Sequence, residues 1–316
     1  MTPSQQESSL PQDLGVRETL KYVLITPARN EASFIEETIK SVVSQSLPPM
    51  KWVIVSDGST DGTDDIVKRY ASQFDWIELV RMPERRERHF AGKVGAFNAG
   101  QARVKGLGYD IIGNLDADIT FASDYFDFLL KKFAANRSLG VAGTPFEEEK
   151  PQYDYRFVSS EHVSGACQLF RRECFEQIGG YLPMKSGGID LVAVITARMK
   201  GWQTRSFVEK RCFHHRKMGS AKHNVLVAAF QGGRTDYLLG CDPIWQVLRS
   251  LYRTVASRPL IMNGILCLAG YFWAALNRAE RVMPSEVVRF RRVEERRRLR
   301  ELFVKAFSGQ KLKSAR

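Results

Sequence analysis

The chain has 316 residues, of which 44% are hydrophobic and 26% are charged, and it carries a formal net charge of +12. That length allows one large domain, or one domain with an appendage, around a sizeable core. The five cysteines are odd in number and scattered, which argues against a disulfide framework and for a reducing, cytoplasmic setting.

The N-terminal stretch, residues 1–19, is polar, so we predict a disordered tail rather than a signal peptide or a membrane span. After it, apolar runs typical of buried strands alternate with helical segments. Strands are predicted at residues 21–26, 52–56 and 76–80, and helices at residues 34–45, 64–74 and 92–102. This alternation indicates βαβ units and a mostly parallel sheet. Ligands of such sheets bind at the carboxyl ends of the strands.

A fourth apolar run begins at Tyr109 and ends in Asp116-Ala117-Asp118. Alternate side chains of an extended chain point the same way, so both carboxylates are expected on one side of the strand end. Carboxylates this close repel each other unless a positive group lies between them. Mg²⁺ or Mn²⁺ would fit, because these ions are held by one or two carboxylates plus substrate phosphates. A polar turn that caps the next helix would also use aspartate, so the motif alone leaves both interpretations open.

Two common nucleotide-binding classes are disfavoured by the residues after the first strand. A nicotinamide-binding Rossmann domain needs Gly-x-Gly-x-x-Gly there, whereas this chain has Pro27-Ala-Arg-Asn-Glu31. The sequence also has no Walker A motif.

Four motifs occur one after another in a recognisable order. They are Pro27-Ala-Arg-Asn-Glu31, Val55-Ser-Asp-Gly-Ser-Thr-Asp61, Gly92-Lys93 with Ala96-Phe-Asn-Ala-Gly100, and Asp116-Ala-Asp118. In order and spacing they resemble the motifs of family 2 glycosyltransferases, over roughly residues 21–215. The resemblance implies the GT-A fold, a nucleotide-sugar donor and a reaction that inverts the anomeric centre.

The resemblance also implies which residues bind the nucleoside of the donor. The loop with Pro27, Ala28, Arg29 and Glu31 would form its wall, with Glu31 near the base or ribose. Asp57 would accept a hydrogen bond from a ring N–H of the base, a task that suits a carboxylate. The same Asp57 motif is also typical of an ordinary turn and helix cap, and capping can coexist with binding.

For the diphosphate, the resemblance places Asp116 beside the ribose and metal, and Asp118 as a ligand of the metal. Lys93 would meet the donor phosphate or sugar, although a solvated lysine at a helix start is the plain alternative. A histidine completes the metal shell in many GT-A enzymes, and either His214 or His215 could do so here. A packed or solvated histidine pair remains open.

The acceptor side is predicted around residues 185–190, where the family usually has a Glu-Asp pair and this chain has Ile189-Asp190. Asp190 aligns with the aspartate of that pair, so we assign it as the catalytic base. A single in-line displacement needs such a base within reach of the acceptor hydroxyl, and a stabiliser of the departing diphosphate. Asp190 could also be a plain N-cap of the helix that it opens.

The last hundred residues are predicted to be helical and basic. Residues 260–276 form a run of 17 mostly apolar residues with arginines on both sides. We favour a re-entrant or interfacial segment over a true crossing, with a buried core helix as the alternative. Residues 277–316 hold 13 Lys and Arg against 5 Asp and Glu, and residues 285–307 combine basic side chains with apolar ones at helical spacing. This pattern predicts binding to an anionic membrane surface, with self-association as the rival. We predict no nucleic-acid partner, since no motif that reads nucleic acid is visible.

Together these features predict an α/β protein of the GT-A fold, with a mostly parallel sheet over residues 20–219 and a helical, membrane-associating appendage over residues 220–316. The predicted activity is a Mn²⁺- or Mg²⁺-assisted inverting transfer from a nucleotide sugar, with a UDP-sugar favoured, to a glycan or lipid-linked acceptor. The product would be a polysaccharide or glycolipid precursor of the cell envelope. The predicted location is the cytoplasmic face of the membrane, peripheral or re-entrant. The alternative is a non-catalytic relative that binds sugar nucleotides or acts as a membrane scaffold, as Ile189 hints.

Overall fold

The computed structural model describes residues 19–84, 90–148, 159–184, 187–216, 225–256 and 261–307. Five stretches interpreted from the sequence lie partly or wholly outside these residues. They are the N-terminal tail, the first part of the acceptor loop (185–186), the start of the appendage (220–224), the first residue of the apolar run at 260–276 and the last nine residues of the basic segment (308–316).

The strands, in chain order, are β1 (Tyr22–Ala28), β2 (Lys51–Asp57), β3 (Ile77–Met82), β4 (Ile111–Leu115), β5 (Ile119–Phe121), β6 (Leu139–Gly143), β7 (Phe146–Glu147), β8 (Cys167–Arg171), β9 (Gln203–Ser206) and β10 (Cys212–His214). The helices are α1 (Ile35–Val43), α2 (Thr63–Ala71), α3 (Phe90–Val104), α4 (Tyr125–Ala135), α5 (Arg172–Gln177), α6 (Ile189–Met199), α7 (Val225–Leu238), α8 (Pro243–Ala256), α9 (Met262–Leu276) and α10 (Ser285–Phe307).

Seven strands form the central sheet in the order β3-β2-β1-β4-β8-β6-β9. The first four pair in parallel, β8 runs antiparallel to both of its neighbours, and β6 pairs in parallel with β9. The mostly parallel α/β sheet is therefore confirmed. Its parallel half comes from the alternating strands and helices that the sequence predicted.

The sheet is buried on both faces, because successive side chains of a strand point to opposite sides. In β1, Tyr22 and Leu24 belong to one apolar cluster, while Val23 and Ile25 belong to the other. Trp52 of β2 is fully buried, and its indole N–H donates a 2.9 Å hydrogen bond to Oγ1 of Thr26. These two packed faces hold the carboxyl ends of the strands in fixed positions.

A second sheet of three short strands has the order β5-β10-β7. In the antiparallel β5–β10 pair, His214 lies opposite Ile119, which brings the end of β10 next to the residues that precede β5. No sequence pattern predicted these three strands, β6 or α4. The small sheet matters because it joins the Asp116–Asp118 segment to the histidine segment.

The described part of the appendage contains helices α7 to α10, of which α9 and α10 lie close to the predicted ranges 260–276 and 285–307. Two glycines let α7 and α9 approach closely: a Cβ on Gly233 would lie 1.8 Å from the carbonyl oxygen of Cys267, and one on Gly270 would lie 2.0 Å from that of Phe230. None of the helices within the described ranges has the length and apolar character needed to cross a bilayer.

Candidate active site

The loops after β1 and β2 are joined by a set of hydrogen bonds. The side-chain carbonyl of Asn30 accepts from the backbone N–H of Thr60 at 2.9 Å. The hydroxyl of Thr63 accepts from the N–H of Glu31 at 2.8 Å, and the carboxylate of Asp61 accepts from the N–H of Ala32 at 3.0 Å. Since each loop satisfies the backbone of the other, the two form one rigid wall at the carboxyl end of the sheet.

The residues assigned to the nucleoside lie on this wall. Pro27 and Ala28 end β1, and Asp57 ends β2, where its carboxylate is buried. The Nη1 atom of Arg29 lies 4.0 Å from Oδ2 of Asp57, so the guanidinium balances the charge of the carboxylate. The side chain of Glu31 is ion-paired with Arg216.

Asp116 and Asp118 lie in the turn between β4 and β5, not on a continuous strand as the sequence suggested. The Nζ atom of Lys93 lies 2.5 Å from Oδ1 of Asp116. Asp118 instead lies 3.5 Å from Nε2 of His214 and 3.6 Å from Nε of Arg216. Each carboxylate therefore has its own positively charged or histidine partner in the protein.

The pKa values of Lys93 and Asp118 follow from these separate pairings of the two aspartates. Burial by itself lowers the pKa of Lys93, but the charge and hydrogen bond of Asp116 outweigh it, so the pKa of the ammonium is raised overall and Lys93 stays protonated. Burial raises the pKa of the Asp118 carboxyl, and Asp116 adds to that rise, while His214 and Arg216 oppose it. A further positive charge next to Asp118 would therefore favour the ionised form of its carboxyl group.

The two histidines point in different directions, as successive residues do at the end of a strand. His214 faces Asp118, and its Nδ1 atom lies 3.4 Å from Oε1 of Glu148. Although the two atoms are this close, Nδ1 has no hydrogen-bond partner in the described part of the chain. The Nε2 atom of His215 lies instead 2.9 Å from the hydroxyl of Thr120.

Asp190 lies in the first turn of α6. The residue that caps this helix is Gly188, at φ +84°, and the cap makes no side-chain hydrogen bond, so Asp190 is not the N-cap. Instead, Oδ2 of Asp190 accepts a 3.1 Å hydrogen bond from the backbone N–H of Gly165. The carbonyl oxygen of Gly165 accepts a 2.7 Å hydrogen bond from Nδ2 of Asn114, which precedes Asp116 by two residues. The Gly165 peptide therefore connects the Asp116 segment to Asp190.

One cavity brings four of the predicted site residues together, namely Lys93, Asp116, Asp190 and His214, whereas Asp57 and Asp118 are not among its lining residues. Its wall is made by Lys93, Asn114, Asp116, Phe146, Ser164, Gly165, Ala166, Tyr181, Gly188, Ile189, Asp190 and His214. Sequence reasoning had not selected Asn114, Phe146, Gly165 or Tyr181. Asn114 could have been found, because its side chain falls on the same face as Asp116 in an extended chain. Phe146, Gly165 and Tyr181 left no comparable signal.

The residues at the turn fit a hard divalent cation only as a partial shell. Among the residues that the structure describes, no group of three or more His, Cys, Asp and Glu side chains lies close enough to hold a metal ion. Asp118 and His214 supply two ligands of suitable chemistry, and such ions commonly take their other ligands from substrate phosphates and water. The approach of Glu148 to the second nitrogen of His214 resembles the support that ligating histidines receive.

The sheet and the polar groups at the carboxyl ends of its strands define a GT-A-like α/β protein. The family model described as "Glycosyl transferase family 2" matches residues 23–188. The chain belongs to the family 2 glycosyltransferases, and the resemblance carried by the four sequence motifs is confirmed.

Two curated relatives have related names. The chain is 31% identical over 170 residues to the poly-β-1,6-N-acetyl-D-glucosamine synthase of Staphylococcus epidermidis. This alignment covers 48% of this chain and 39% of the relative. It is also 31% identical over 134 residues to the teichuronic acid biosynthesis glycosyltransferase TuaG of Bacillus subtilis. That alignment covers 40% of this chain and 50% of the relative. The matches thus span half or less of the length of these two relatives.

Solved structures share the fold. The mannosyltransferase PcManGT of Pyrobaculum calidifontis, in complex with GDP-Man and Mn²⁺, superposes with a TM-score of 0.57 at 18% identity, over 92% of this chain and 88% of that one. Residues 1–349 of TarS from S. aureus, in complex with UDP-GlcNAc, superpose with a TM-score of 0.53 at 13% identity, over 80% and 72%. At such identities these likenesses concern the fold alone.

Proposed function

We propose that this chain is an inverting glycosyltransferase that moves a sugar from a nucleotide-sugar donor to a hydroxyl of a polysaccharide or glycolipid precursor. The observation that carries the proposal is the convergence of Lys93, Asp116, Asp190 and His214 on one cavity at the carboxyl ends of the strands. A transfer needs a general base and cationic groups for the leaving diphosphate on opposite sides of the sugar. The cavity offers both.

In this proposal the donor nucleoside lies against the loops after β1 and β2. Asp57 accepts a hydrogen bond from the base, and the segment of Pro27, Ala28, Arg29 and Glu31 forms the wall. The similar structures of TarS and PcManGT are complexes with UDP-GlcNAc and GDP-Man, which supports a nucleotide sugar as the class of donor. We retain a UDP-sugar as the first donor to test.

Asp190 would take the proton of the acceptor hydroxyl as its oxygen attacks the anomeric carbon from the face opposite the diphosphate. The bond from carbon to the diphosphate oxygen breaks as the new glycosidic bond forms, so the configuration inverts. The hydrogen bond from Gly165 holds the Asp190 carboxylate on the cavity wall, which is the orientation that a general base requires.

On the diphosphate side, Asp118 and His214 would hold a divalent cation. When bound, such an ion would neutralise charge that builds up on the leaving diphosphate. Lys93 lies on the same cavity and, with Arg216 beside Asp118, supplies further positive charge from the protein itself. We do not keep His215 in this role, because its ring lies against Thr120.

We further propose that the appendage, residues 220–316, rests on an anionic bilayer at the cytoplasmic face. The sequence predicted membrane contact both for residues 260–276, which contain α9, and for residues 285–307, which form α10. Helix α10 also exposes apolar side chains, namely Val293, Leu302, Phe303 and Val304, but the larger exposed set lies on α8 and α9. It consists of the exposed apolar side chains Ile244, Leu248, Leu251, Met262, Ile265, Phe272, Trp273 and Leu276, and we call it the α8–α9 apolar face. Large exposed apolar patches mark partner or membrane surfaces, and the basic charge of the chain favours anionic lipid over a neutral partner.

The face of α10 that packs inward is partly ionic. Arg291, Glu294 and Glu295 are all buried on it, beside Val287 and Leu299. Such a face is directed to the protein, not to lipid, because its charges are paired there with other side chains.

The decisive experiment compares wild type with Asp190→Asn. The variant keeps the shape of the side chain but cannot accept a proton, so we expect transfer to fall by about a thousandfold or more, judged by the usual contribution of a general base. Binding of the nucleotide sugar, measured by calorimetry, should stay within about twofold, since the affinity change for a lost acceptor-side contact is small. Asp65→Asn, on the exposed face of α2, is the matched control.

Two results would contradict the proposal. Full activity in Asp190→Asn would remove this residue as the base. A wild type that binds nucleotide sugars but neither transfers nor hydrolyses any of a panel of UDP- and GDP-sugars would favour the non-catalytic alternative.

A further inference from the structure

Helix α10 is fastened to the helix that carries Asp190 by a buried ion pair. Arg198 of α6 donates to Glu294 of α10 through two parallel bonds, Nε to Oε1 at 2.7 Å and Nη2 to Oε2 at 2.8 Å. The two side chains are only 11% and 10% exposed. The remaining Nη1 group of Arg198 donates to the carbonyl oxygen of Glu161 and to the hydroxyl of Thr204. Arg198 therefore joins three separate segments.

The same helix also holds the segment that touches Asp190. Nη2 of Arg298 donates to Oε2 of Glu161 at 2.6 Å. Burial alone would raise the pKa of Glu161, but the hydrogen bond and charge of Arg298 lower it overall, which keeps the pair ionised. Glu161 is four residues before Gly165, whose N–H donates to Asp190. So α10 fastens both α6 and the partner of its aspartate.

A third link lies behind the N-terminus of α6. Gly188, the helix cap, has no room for a side chain, because a Cβ there would lie 2.8 Å from Cδ1 of Leu239. Leu239 is buried, and its carbonyl oxygen accepts a 2.7 Å hydrogen bond from Nη1 of Arg291 on α10. Arg291 is itself paired with Glu295 at 2.9 Å. The wall behind Asp190 is therefore built by the appendage.

These links are specific in a way that apolar packing is not. Buried ion pairs add little net stability, since removing the charges from water costs about as much as their attraction returns. A bidentate arginine pair does fix distance and orientation. A catalytic group must be held within a fraction of an ångström of its productive position. The neighbour of Asp190 in the chain, Ile189, is apolar and cannot hold the carboxylate by a side-chain hydrogen bond, so the support of Asp190 comes from other segments.

We infer that Arg198, Glu294 and Leu239 are positioning residues for the base, so that the C-terminal appendage completes the catalytic site instead of serving only as an anchor. The inference rests on the proposed role of Asp190. The acceptor is aligned only when α10 is docked on α6. Loss of that docking lowers the rate of transfer and leaves the donor loops, which belong to the other half of the sheet, unchanged.

The test uses the full chain and two variants of α10. Glu294→Gln keeps the shape of the side chain and removes the charge that pairs with Arg198. Glu301→Gln makes the same chemical change at an exposed position of α10, where Glu301 pairs only with Arg297 of the same helix among the ion pairs of the described residues. We expect kcat to fall about tenfold to a hundredfold in Glu294→Gln, as for a small misplacement of a catalytic group, with donor affinity within about twofold of wild type. In Glu301→Gln both quantities should stay near wild type.

Two further measurements keep the result clear. Hydrogen exchange of the hydrogen-bonded amides of α6, which begin at Val192, should quicken in Glu294→Gln and in Leu239→Ala, but not in Glu301→Gln. This readout does not depend on turnover. The charge exchange Arg198→Glu with Glu294→Arg should restore part of kcat relative to either single change.

The inference is wrong if Glu294→Gln keeps the wild-type kcat and exchange pattern, or if it loses donor affinity and thermal stability as much as kcat. The Asp190→Asn variant, measured in parallel, separates a failure of this inference from a failure of the proposed catalytic role of Asp190. If Asp190→Asn is active, the proposed base is wrong. If it is inactive while Glu294→Gln behaves as wild type, only the positioning role falls.

Discussion

The ammonium nitrogen of Lys93 lies 2.5 Å from Oδ1 of Asp116, and both side chains line the cavity that also contains Asp190. Lys93 is on α3 and Asp116 is in the turn after β4, so the pair connects two segments at the carboxyl end of the sheet. The pair neutralises one of two neighbouring carboxylates and leaves the other, Asp118, for a different partner.

We expect Lys93→Met to weaken binding of the donor diphosphate, because it removes a positive charge and leaves Asp116 to repel the phosphates. The loss should be about tenfold, or ~1.4 kcal/mol in binding free energy, and Lys93→Arg should recover part of it. Calorimetric titration with a UDP-sugar measures the effect. Lys105→Met, on an exposed position at the end of the same helix, is the control. Unchanged affinity in Lys93→Met would show that the ammonium does not contact the donor.

Replacing His214 and replacing His215 are expected to change different properties of the protein. His214→Ala should raise the Mn²⁺ dissociation constant, measured with nucleoside diphosphate present, by about tenfold or more, since it deletes a ligand and not only its support. His215→Ala should leave Mn²⁺ affinity unchanged and lower the free energy of unfolding by about 1 kcal/mol, the usual value of one lost hydrogen bond, here to Thr120. The opposite pattern would assign the metal to His215.

Gly165→Ala is expected to displace the base. A Cβ at this position would lie 3.0 Å from Cβ of Asp190 and 3.2 Å from its Cγ, closer than the neighbouring backbone and side chain can accept without a shift. We expect kcat to fall about tenfold, because the required shift is smaller than the ~1 Å displacement that costs about a hundredfold, with little change in donor affinity. Gly106→Ala is the matched control, because a Cβ there meets no atom within 4 Å. A variant with wild-type kcat would show that Asp190 tolerates the shift.

The α8–α9 apolar face predicts binding to anionic vesicles. Ile265→Ser combined with Trp273→Ser should weaken co-sedimentation with phosphatidylglycerol vesicles by at least tenfold, because each buried apolar side chain contributes about 1.5–3 kcal/mol. Val208→Ser, exposed on the catalytic domain, should have no effect. Equal binding to neutral phosphatidylcholine vesicles at all salt concentrations would remove the electrostatic part of the proposal. Concentration-dependent association without vesicles would instead assign this face to a second copy of the chain.

The lowered pKa of His162 leads us to expect that the protein loses stability on acidification. Burial lowers the pKa of its imidazole, Asp190 opposes this, and Arg198, Arg298 and Arg291 lower it further, so the overall shift is downward. Below the ordinary histidine value of about 6.5 the unfolded chain therefore binds a proton that the folded chain resists. Stability should fall as pH drops through that range, and His162→Gln should reduce the slope. Urea denaturation between about pH 5 and 7 measures it, and an unchanged slope in the variant would assign the acid sensitivity to other groups.

Much of the parallel half of the fold could be predicted, because its strands are apolar runs and its helices have a regular apolar spacing. Helix α10 has the predicted bounds, Ser285–Phe307. By contrast β5, β7 and β10 have only two or three residues each, too short for periodicity to show. Their pairing is decided by neighbours about ninety residues away in the chain, as in the pair of Phe213 with Thr120.

The candidate site divides in the same way. Local motifs were enough to identify the family and the side of the sheet on which the polar loops meet. They were also enough to select Asp57, Lys93, Asp116, Asp118 and Asp190 as candidate site residues. The partners of these residues depend on the tertiary fold. It pairs Asp116 with Lys93 and brings His214, not His215, towards Asp118. It also places Gly165 and, through Arg198, helix α10 behind Asp190. These contacts join segments far apart in the chain, so they are set by how the elements pack and not by any local pattern.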